Sequence, residues 1–191
     1  GQLGVIIYPF TQKYKAVVGQ RRLPDSVVKR TRRKSARGKL YIYFLKQIIR
    51  NLKGFILDPQ APLKAFDART FKELIPHMHE TKFGFDVELL LLLKQHEIKT
   101  SMVGIGFIDS NKESNTNART THLNILKQVV HMRKRHFSQN LPSPFESFIT
   151  KLTPEKWALL TEHAPDEIRY ATSVGLDELA IPLSVFKKIV I

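Results

Sequence analysis

The sequence predicts an α/β fold with a small, mainly helical C-terminal extension. Three observations predict it: short β-branched runs near the N-terminus, helical apolar periodicities further along, and a proline with a change of charge near residue 139. With 191 residues, of which 42% are hydrophobic, the chain is long enough for one full domain and a small appendage. We therefore predict one domain over residues 1–137 and a helical extension over residues 138–191.

The composition excludes several classes of protein. Cysteine is absent, which excludes disulfides and thiolate metal sites and fits a reducing cytosol. No apolar run is long enough to cross a bilayer, and the N-terminus has no signal-peptide pattern. These features predict a soluble or peripheral protein. The first residue is Gly1 rather than methionine, which favours a fragment of a longer chain.

The net charge of +14 is concentrated in one segment. Residues 20–39 contain nine basic residues and one acidic residue, Asp25, and therefore hold +8 of that charge. The basic residues are Arg21, Arg22, Lys29, Arg30, Arg32, Arg33, Lys34, Arg37 and Lys39. Since guanidinium groups bind phosphate through two parallel hydrogen bonds, this segment predicts a phosphate site.

The N-terminal region predicts two strands followed by a loop. Val5–Tyr8 and Lys15–Gly19 are short β-branched runs bounded by proline, glutamine or glycine. Gly19 allows the chain to turn, and Pro24 continues the loop. Ligands of α/β sheets bind beyond the C-terminal ends of the strands, so a basic loop at this place would meet phosphate.

The segment Gly38–Lys53 predicts an amphipathic helix. Apolar residues recur every four positions, and Gly54 follows as a stop signal. The polar face of this helix carries Lys39, Lys46, Arg50 and Lys53. Two interpretations stay open: a face in contact with acidic lipid headgroups, or an ordinary solvated helix face.

A strand and a capped helix follow. Leu63–Phe66 predicts a short strand, and Asp67 predicts the N-cap of a helix that runs through Ile75. His77 and His79 lie two residues apart beyond this helix. A metal site would need a third ligand that the sequence does not place, so we interpret them as surface histidines.

Two apolar elements come next. Asp86–His96 is apolar on nearly all sides, which predicts a buried helix. Ile98–Ile108 predicts an edge strand, in which Gly104 and Gly106 indicate a bulge or a close backbone approach.

The C-terminal third predicts helices. Ala118–His136 has a helical apolar stripe and ends on the basic cluster Arg133–His136, which suits a helix C-terminus or an anionic membrane. Ser143 and Glu146 form a capping-box pattern, and Thr153 precedes another short helix.

Three carboxylates lie next to apolar runs. Asp58 precedes Pro59, and Asp86 and Glu88 open the apolar helix. A charge in such a place costs free energy unless it is paired or used. The alternative is structural: Asp58 forms a turn, and Asp86 faces the positive end of a helix dipole.

The ordered set of motifs from Tyr14 to His136 resembles the C-terminal half of a family 2 glycosyltransferase, particularly the polyprenyl-phosphate sugar transferases. The motifs are Val17-Val18-Gly19-Gln20-Arg21, the basic stretch, the amphipathic helix, Asp58-Pro59-Gln60-Ala61-Pro62-Leu63-Lys64-Ala65-Phe66, and Phe83-Gly84-Phe85-Asp86-Val87-Glu88-Leu89-Leu90. The resemblance implies a partial GT-A (Rossmann-like) fold for residues 1–137. It also implies transfer of a sugar from a nucleotide-sugar donor to a lipid-phosphate or glycan acceptor, in cell-envelope biosynthesis at the cytoplasmic face of a membrane.

The resemblance also implies roles for individual residues. Asp58 would orient a hydroxyl or act as a base, while Asp86 and Glu88 would support the neighbouring loop. The residues implied to bind substrate or phosphate are Arg21, Arg22, Arg32, Arg33, Lys34, Ser35, Gln60 and Lys64. Gln20 stands where the family has a small hydroxyl residue, and the spacing of Arg32 to Ser35 is compressed relative to the family pattern.

One family motif is missing. The donor half of the family ends in an Asp-x-Asp metal motif, and no such motif occurs in this sequence. The chain is then either the acceptor half of a longer enzyme or unable to bind donor, and the ligands of the expected Mg or Mn ion would lie outside it. Two alternatives stay open: a basic nucleic-acid-binding module, which we rank below the transferase because stacking aromatics are few, and a non-catalytic remnant of the fold.

Overall fold

The computed structural model describes residues 2–21, 23–29, 32–49, 58–81, 84–108, 118–137, 144–173 and 181–190. Over these residues the fold is mixed α/β and mostly helical. The chain divides into two compact units, Gly1–Arg30 with Gly54–Ser110, and Thr31–Lys53 with Asn111–Ile191. The observed units therefore divide the chain at other places than the boundary predicted at residues 137 and 138.

The first unit contains a three-stranded sheet in the order β3-β1-β4. The strands are β1 (Ala16–Gln20), β3 (Lys64–Phe66) and β4 (Thr100–Gly104). Central β1 runs antiparallel to β3 and parallel to β4, and all its residues are buried. The strands predicted at Lys15–Gly19 and Leu63–Phe66 are confirmed, because a β-branched run that fills a central strand is buried on both faces.

The strand predicted over Ile98–Ile108 is divided at the buried residue Ile105. Beyond it, β5 (Gly106–Ile108) pairs in parallel with β2 (Val27–Lys29) as a second, two-stranded sheet. In the three-stranded sheet β4 is an edge strand, as the sequence predicted.

The strand predicted at Val5–Tyr8 is wrong. These residues lie in a helix, α1 (Gln2–Thr11), with Pro9 near its end. Four apolar residues carry no periodicity that separates a strand from a helix. The helix leaves Val5, Ile7 and Tyr8 exposed.

Helix α3 (Ala68–Leu74) begins at its predicted N-cap and continues into a 3₁₀ turn, Ile75–His77. The Asp67 carboxylate accepts hydrogen bonds from the backbone N–H of Thr70 at 3.1 Å and from its hydroxyl at 3.0 Å. These two hydrogen bonds, the backbone bond most strongly, lower the pKa of Asp67 from its ordinary value. Both His77 and His79 are exposed, as predicted.

Helix α4 (Phe85–Gln95) is the predicted buried helix. Its residues from Val87 to Leu93 are all buried, including the carboxylate of Glu88. An apolar segment without a polar stripe has no face for solvent, and this explains why the pattern predicted the burial correctly.

The described part of the second unit contains five helices: α2 (Arg32–Ile48), α5 (Ala118–Phe137), α6 (Pro144–Lys151), α7 (Pro154–Ser173) and α8 (Leu183–Val190). Aromatic rings form its core, with Tyr43 and Phe44 of α2 each 5.1 Å from Phe186 of α8 and with Trp157 fully buried. Tyr43 also donates a hydrogen bond to the carbonyl of Ile181 at 2.9 Å. The C-terminal helices thus pack on α2 and α5 within one unit.

Helix α2 differs from its prediction in two ways. It begins at Arg32 rather than Gly38, so that the second half of the predicted basic loop is helical. Residues 40–45 and 47–49 are buried, and Lys46 between them is half-buried. The predicted amphipathic face is therefore wrong over these residues, because packing by α5 to α8 covers the sides that a surface helix would expose. The side chain of Lys39 and residues 50 and 53 lie outside what the structure describes.

Two details of the C-terminal helices were also not predicted. The helix after Thr153 is long rather than short, since α7 has 20 residues. Glu146, predicted to complete a capping box, is buried and forms an ion pair with Arg133 of α5. Its predicted partner Ser143 lies outside the described residues.

Candidate functional site

The candidate site is built at the C-terminal end of β1. Gly19 lies so close to its neighbours that an added Cβ would come within 2.8 Å of both Ile105 Cγ2 and Leu63 Cβ. Its N–H donates to the carbonyl of Leu63 at 2.8 Å. A larger residue at this position would push β1 away from both neighbours, so glycine holds the strand end tightly in the sheet.

After β1 the chain leaves the three-stranded sheet and enters the two-stranded sheet as β2. Residues 21–26 separate β1 from β2, whereas Ile105 alone separates their partner strands β4 and β5. The Ser26 hydroxyl donates to the carbonyl of Gln20 at 2.6 Å and accepts from the N–H of Ile105 at 3.3 Å. Ser26 thus closes the base of a loop, which we name the β1–β2 loop (residues 21–26).

Arg21 opens the β1–β2 loop and forms a two-pronged ion pair with Asp58. Nε donates to Oδ2 of Asp58, and Nη2 donates to Oδ1 at 2.7 Å. The side chains are 15% and 5% exposed, so that solvent screens this pair little. The guanidinium also lies over the ring of Phe107, 5.1 Å from its centroid, a cation–π geometry.

Asp58 lies in a tight turn that leads into β3. The N–H of Ala61 donates to the carbonyl of Asp58 at 3.3 Å, and half-buried Gln60 lies between them. The turn-forming interpretation of Asp58 is thus correct for its backbone, while its side chain is engaged separately by Arg21.

Lys64 connects this turn to α4. Its ammonium group donates to the carbonyl of Ala61 at 2.7 Å and lies 2.9 Å from Oδ1 of Asp86. The Lys64 side chain is only 10% exposed. The geometry therefore gives Lys64 a part in holding the turn; binding of phosphate by Lys64 remains a prediction.

Glu88 supports a neighbouring loop. One of its oxygens, Oε2, accepts hydrogen bonds from the backbone N–H groups of His79 at 2.7 Å and Glu80 at 2.6 Å. The carboxylate is fully buried, and a buried carboxylate is stable when such donors satisfy it. Glu88 thus holds the backbone at residues 79 and 80, while the supporting role in a transferase site that the resemblance implied remains a prediction.

Two polar groups at the strand end are features that sequence reasoning missed. Gln20 is 1% exposed, and within the described residues its Oε1 atom has no hydrogen-bond partner. The carboxyl group of Asp25 occupies the space that a side chain on Gly104 would fill. The glycine in β4 was a signal of close approach, but the sequence did not indicate which group approaches.

The remaining predicted binding residues lie in the second unit or outside the described residues. Arg32, Arg33, Lys34 and Ser35 lie in the first turns of α2, which belongs to the second unit, and their side chains lie outside what the structure describes. Arg22 also lies outside the described residues. The structure thus brings together Arg21 with Asp58, and Lys64 with Asp86.

The Asp58 carboxylate is not free to bind a divalent cation. Both of its oxygens accept hydrogen bonds from Arg21. A hard cation needs several oxygen ligands that are free to approach it, and Asp58 would first have to release Arg21. Metal ligands contributed from outside this chain remain a prediction.

Comparisons of the chain with protein-family models, with curated proteins and with solved structures found no match. Among the described helices, none combines the length and the apolar character that crossing a bilayer requires. The site is the end of a strand in an α/β sheet and carries a buried arginine–carboxylate pair beside the side-chain oxygen of Gln20, which has no hydrogen-bond partner within the described residues. Its assignment depends on this geometry and on the order of motifs that resembles the family 2 glycosyltransferases.

Proposed function

We propose that this chain forms the acceptor-side part of a glycosyltransferase with a GT-A-like fold. The enzyme would move a sugar from a nucleotide-sugar donor to a lipid-phosphate acceptor, with a glycan acceptor as the broader alternative. The observation that carries the proposal is the Arg21–Asp58 pair at the C-terminal end of β1, since ligands of α/β sheets bind beyond such strand ends.

The ion pair would hold the Arg21 guanidinium in an orientation in which it can bind phosphate. Asp58 engages Nε and Nη2, and the ring of Phe107 supports the guanidinium. The Nη1 edge is not used by Asp58, so it can donate to a phosphate oxygen without loss of the pair. A guanidinium fixed in this way loses little further conformational entropy when it binds the ligand.

The same pair favours a phosphate acceptor over an alcohol. Both oxygens of Asp58 accept hydrogen bonds from Arg21, and a substrate hydroxyl would have to displace a charged hydrogen bond to reach either of them. A phosphate acceptor is already an anion and needs no general base. One of its oxygens would form the new bond to the anomeric carbon of the sugar, while the bond from that carbon to the nucleoside diphosphate breaks.

In this proposal Asp58 is a positioning residue rather than a base. Lys64 and Asp86 hold the turn that carries Asp58, and Glu88 holds the 79–80 backbone. A displacement of about 1 Å at a reacting group costs roughly a hundredfold in rate. Substitutions in these supporting contacts should therefore lower the transfer rate without removing a reacting group.

The test is transfer of radiolabelled sugar from a panel of nucleotide sugars to polyprenyl phosphate, catalysed by the protein that contains this chain. Arg21→Lys keeps the charge but loses the fork, and we expect a loss of rate of roughly a hundredfold. The matched control is Arg69→Lys, because Arg69 forms an exposed pair with Glu73, with side chains 89% and 64% exposed. Absence of transfer by the parent, or equal effects of the two substitutions, would contradict the proposal.

A further inference from the structure

Gln20 is a buried polar residue with an unfulfilled hydrogen-bonding capacity. It ends the central strand β1, all of whose residues are buried, and its side-chain oxygen has no partner among the described residues. Leaving a buried acceptor without a donor lowers the stability of the folded protein. Such groups in folded proteins call for an explanation, of which one is a ligand that brings the missing donor.

A second acceptor lies on the same face of the sheet. Gln20 is the register partner of Gly104 in β4, and paired residues of neighbouring strands direct their side chains to one face. The carboxyl group of Asp25 occupies the space that a side chain at residue 104 would fill. The carboxamide of Gln20 and the carboxylate of Asp25 are therefore neighbours across the β1–β4 ladder.

The β1–β2 loop holds Asp25 in this place. Ser26, the next residue, is bonded to the carbonyl of Gln20 and to the N–H of Ile105. Its own N–H donates to the carbonyl of Leu23 at 3.0 Å, which closes a turn around Asp25. The backbone that carries the exposed Asp25 side chain is thus held in a turn, and the carboxyl group lies where a β4 residue other than glycine would place its side chain.

Two neighbouring oxygen acceptors favour a ligand that carries hydrogen-bond donors. A phosphate group at neutral pH is mainly an acceptor and an anion, so it would be repelled by this pair of oxygens. A group that carries hydroxyl donors satisfies both of them. The phosphate of a ligand would instead lie at Arg21, the residue that follows Gln20.

We infer that Gln20 and Asp25 recognise the transferred sugar by accepting hydrogen bonds from its hydroxyl groups. The inference rests on the proposed function and deepens it, because it makes Gln20 a specificity-determining residue. A site that is built to bond a hydroxyl discriminates strongly against a ligand without it, since the buried acceptor then stays unpaired.

The experiment compares hexose 1-phosphates (glucose, mannose and galactose) with inorganic phosphate as probes, titrated into the 191-residue chain. The parent should bind at least one hexose 1-phosphate more tightly than inorganic phosphate. Gln20→Met keeps the side-chain length but removes the carboxamide, and should weaken binding of that sugar phosphate by about five- to thirtyfold. Its affinity for inorganic phosphate should not change.

The thermal midpoint of the ligand-free protein supplies an independent readout. Removing an unpaired buried acceptor should raise the midpoint of Gln20→Met by about 2–6 °C. The matched control is Gln47→Met in α2, because Gln47 is also buried, at 1% exposure, but has an interaction partner. We expect Gln47→Met to lower the midpoint and to leave the affinity for both probes unchanged.

Three outcomes would overturn the inference. The first is an unchanged ratio of sugar-phosphate to phosphate affinity in Gln20→Met, and the second is a lowered midpoint in that variant, which would mean that the carboxamide has a structural partner. The third is a midpoint shift by Mn²⁺ alone that the parent shows and Gln20→Met loses, which would indicate a cation site. If Gln20→Met does not fold, Asp25→Ala at the exposed loop position should lower the same affinity ratio, and an unchanged ratio there overturns the inference as well.

The inference and the proposed function fail differently. If the parent binds phosphate through Arg21 but makes no distinction between sugar phosphate and inorganic phosphate, the sugar contact alone is wrong. If the parent binds neither probe, both are wrong.

Discussion

Arg21 and Asp58 are 37 positions apart in the sequence, and their side chains form a two-pronged ion pair at the end of the central strand. The pair joins the β1–β2 loop to the turn that enters β3. The residues around Arg21 do not indicate that its partner is Asp58, and the converse also holds. The contact therefore depends on how the chain folds. It is also the contact on which the proposed function depends.

The energetic coupling of this pair can be measured by a double-mutant cycle. The three variants are Arg21→Met, Asp58→Asn and the double variant, and urea denaturation gives their free energies of unfolding. Each single substitution leaves one member of a buried pair without its partner, so we expect a coupling free energy of about 1–3 kcal/mol. If Asp58 were only a turn former, Asp58→Asn would be nearly neutral and the coupling would be close to zero.

A side chain at Gly104 should displace the Asp25 carboxyl group. A Cβ at residue 104 would overlap that group, which ends an exposed side chain and can turn away, so we expect Gly104→Ala to lower the free energy of unfolding by about 1 kcal/mol or less. The double variant with Asp25→Gly should recover most of this loss.

Gly4→Ala is the control for this glycine substitution. A Cβ at Gly4 meets nothing within 4 Å, and alanine within helix α1 should raise the free energy of unfolding by about 0.5–1 kcal/mol. A Gly104→Ala variant as stable as the parent would show that the close approach of Asp25 has no energetic consequence.

Glu88 should be necessary for the order of the 79–80 backbone. In Glu88→Gln the charged acceptor of two N–H groups becomes neutral, and we expect a loss of about 1.5–3 kcal/mol in stability. Amide hydrogen exchange at His79 and Glu80 should become faster. The matched control is Glu73→Gln, whose exposed pair with Arg69 should contribute less than about 1 kcal/mol. Equal effects of the two substitutions would contradict the role of Glu88.

The helix cap at Asp67 should make stability depend on pH. Its pKa in the folded protein is lowered from the ordinary value of 3.8, mainly by the backbone N–H of Thr70. A lowered folded-state pKa means that the stabilisation is fully present above the unfolded value and is lost as the pH falls through the folded value.

The comparison is with Asp67→Asn, which keeps a capping oxygen but does not titrate. We expect the urea midpoints of the parent and the variant to differ at pH 7 and to converge between about pH 5 and pH 2. A difference that stays constant over this range would exclude the Asp67 carboxylate as its source.

Peripheral association with an anionic membrane should depend on the end of α5. Lys134 and Arg135 are exposed there, whereas residues 40–45, 47 and 48 of α2 are buried and cannot lie on a lipid surface. We expect Lys134→Gln with Arg135→Gln to weaken binding to acidic vesicles by roughly tenfold or more, at about 1 kcal/mol for each charge. Lys187→Gln with Lys188→Gln in α8 removes the same charge from another exposed position. Equal weakening by both pairs, or equal binding of the parent to neutral vesicles, would contradict a specific membrane contact.

The sequence by itself determined the elements whose signals are local. The β-branched run of β1, the aspartate that caps α3, the all-apolar α4 and the long periodic α5 were all predicted at or near their observed positions. Each of these signals depends on residues within a few positions of one another: alternation, periodicity or a cap. The same local reasoning failed at Val5–Tyr8, where four apolar residues are compatible with a helix as well as a strand.

Only the tertiary structure decided which distant groups meet and which faces are covered. The polar stripe read from α2 predicted a surface helix, but the C-terminal helices pack around it and bury Tyr41, Ile42 and Gln47. Three further features likewise depend on contacts between distant segments: the pairing of Arg21 with Asp58, the position of the Asp25 carboxyl group at Gly104, and the lack of a partner for Gln20 Oε1 among the described residues. A residue's type indicates which interactions it can make, but the free energy of burial and pairing depends on neighbours brought together from far along the chain, and these neighbours exist only in the folded protein.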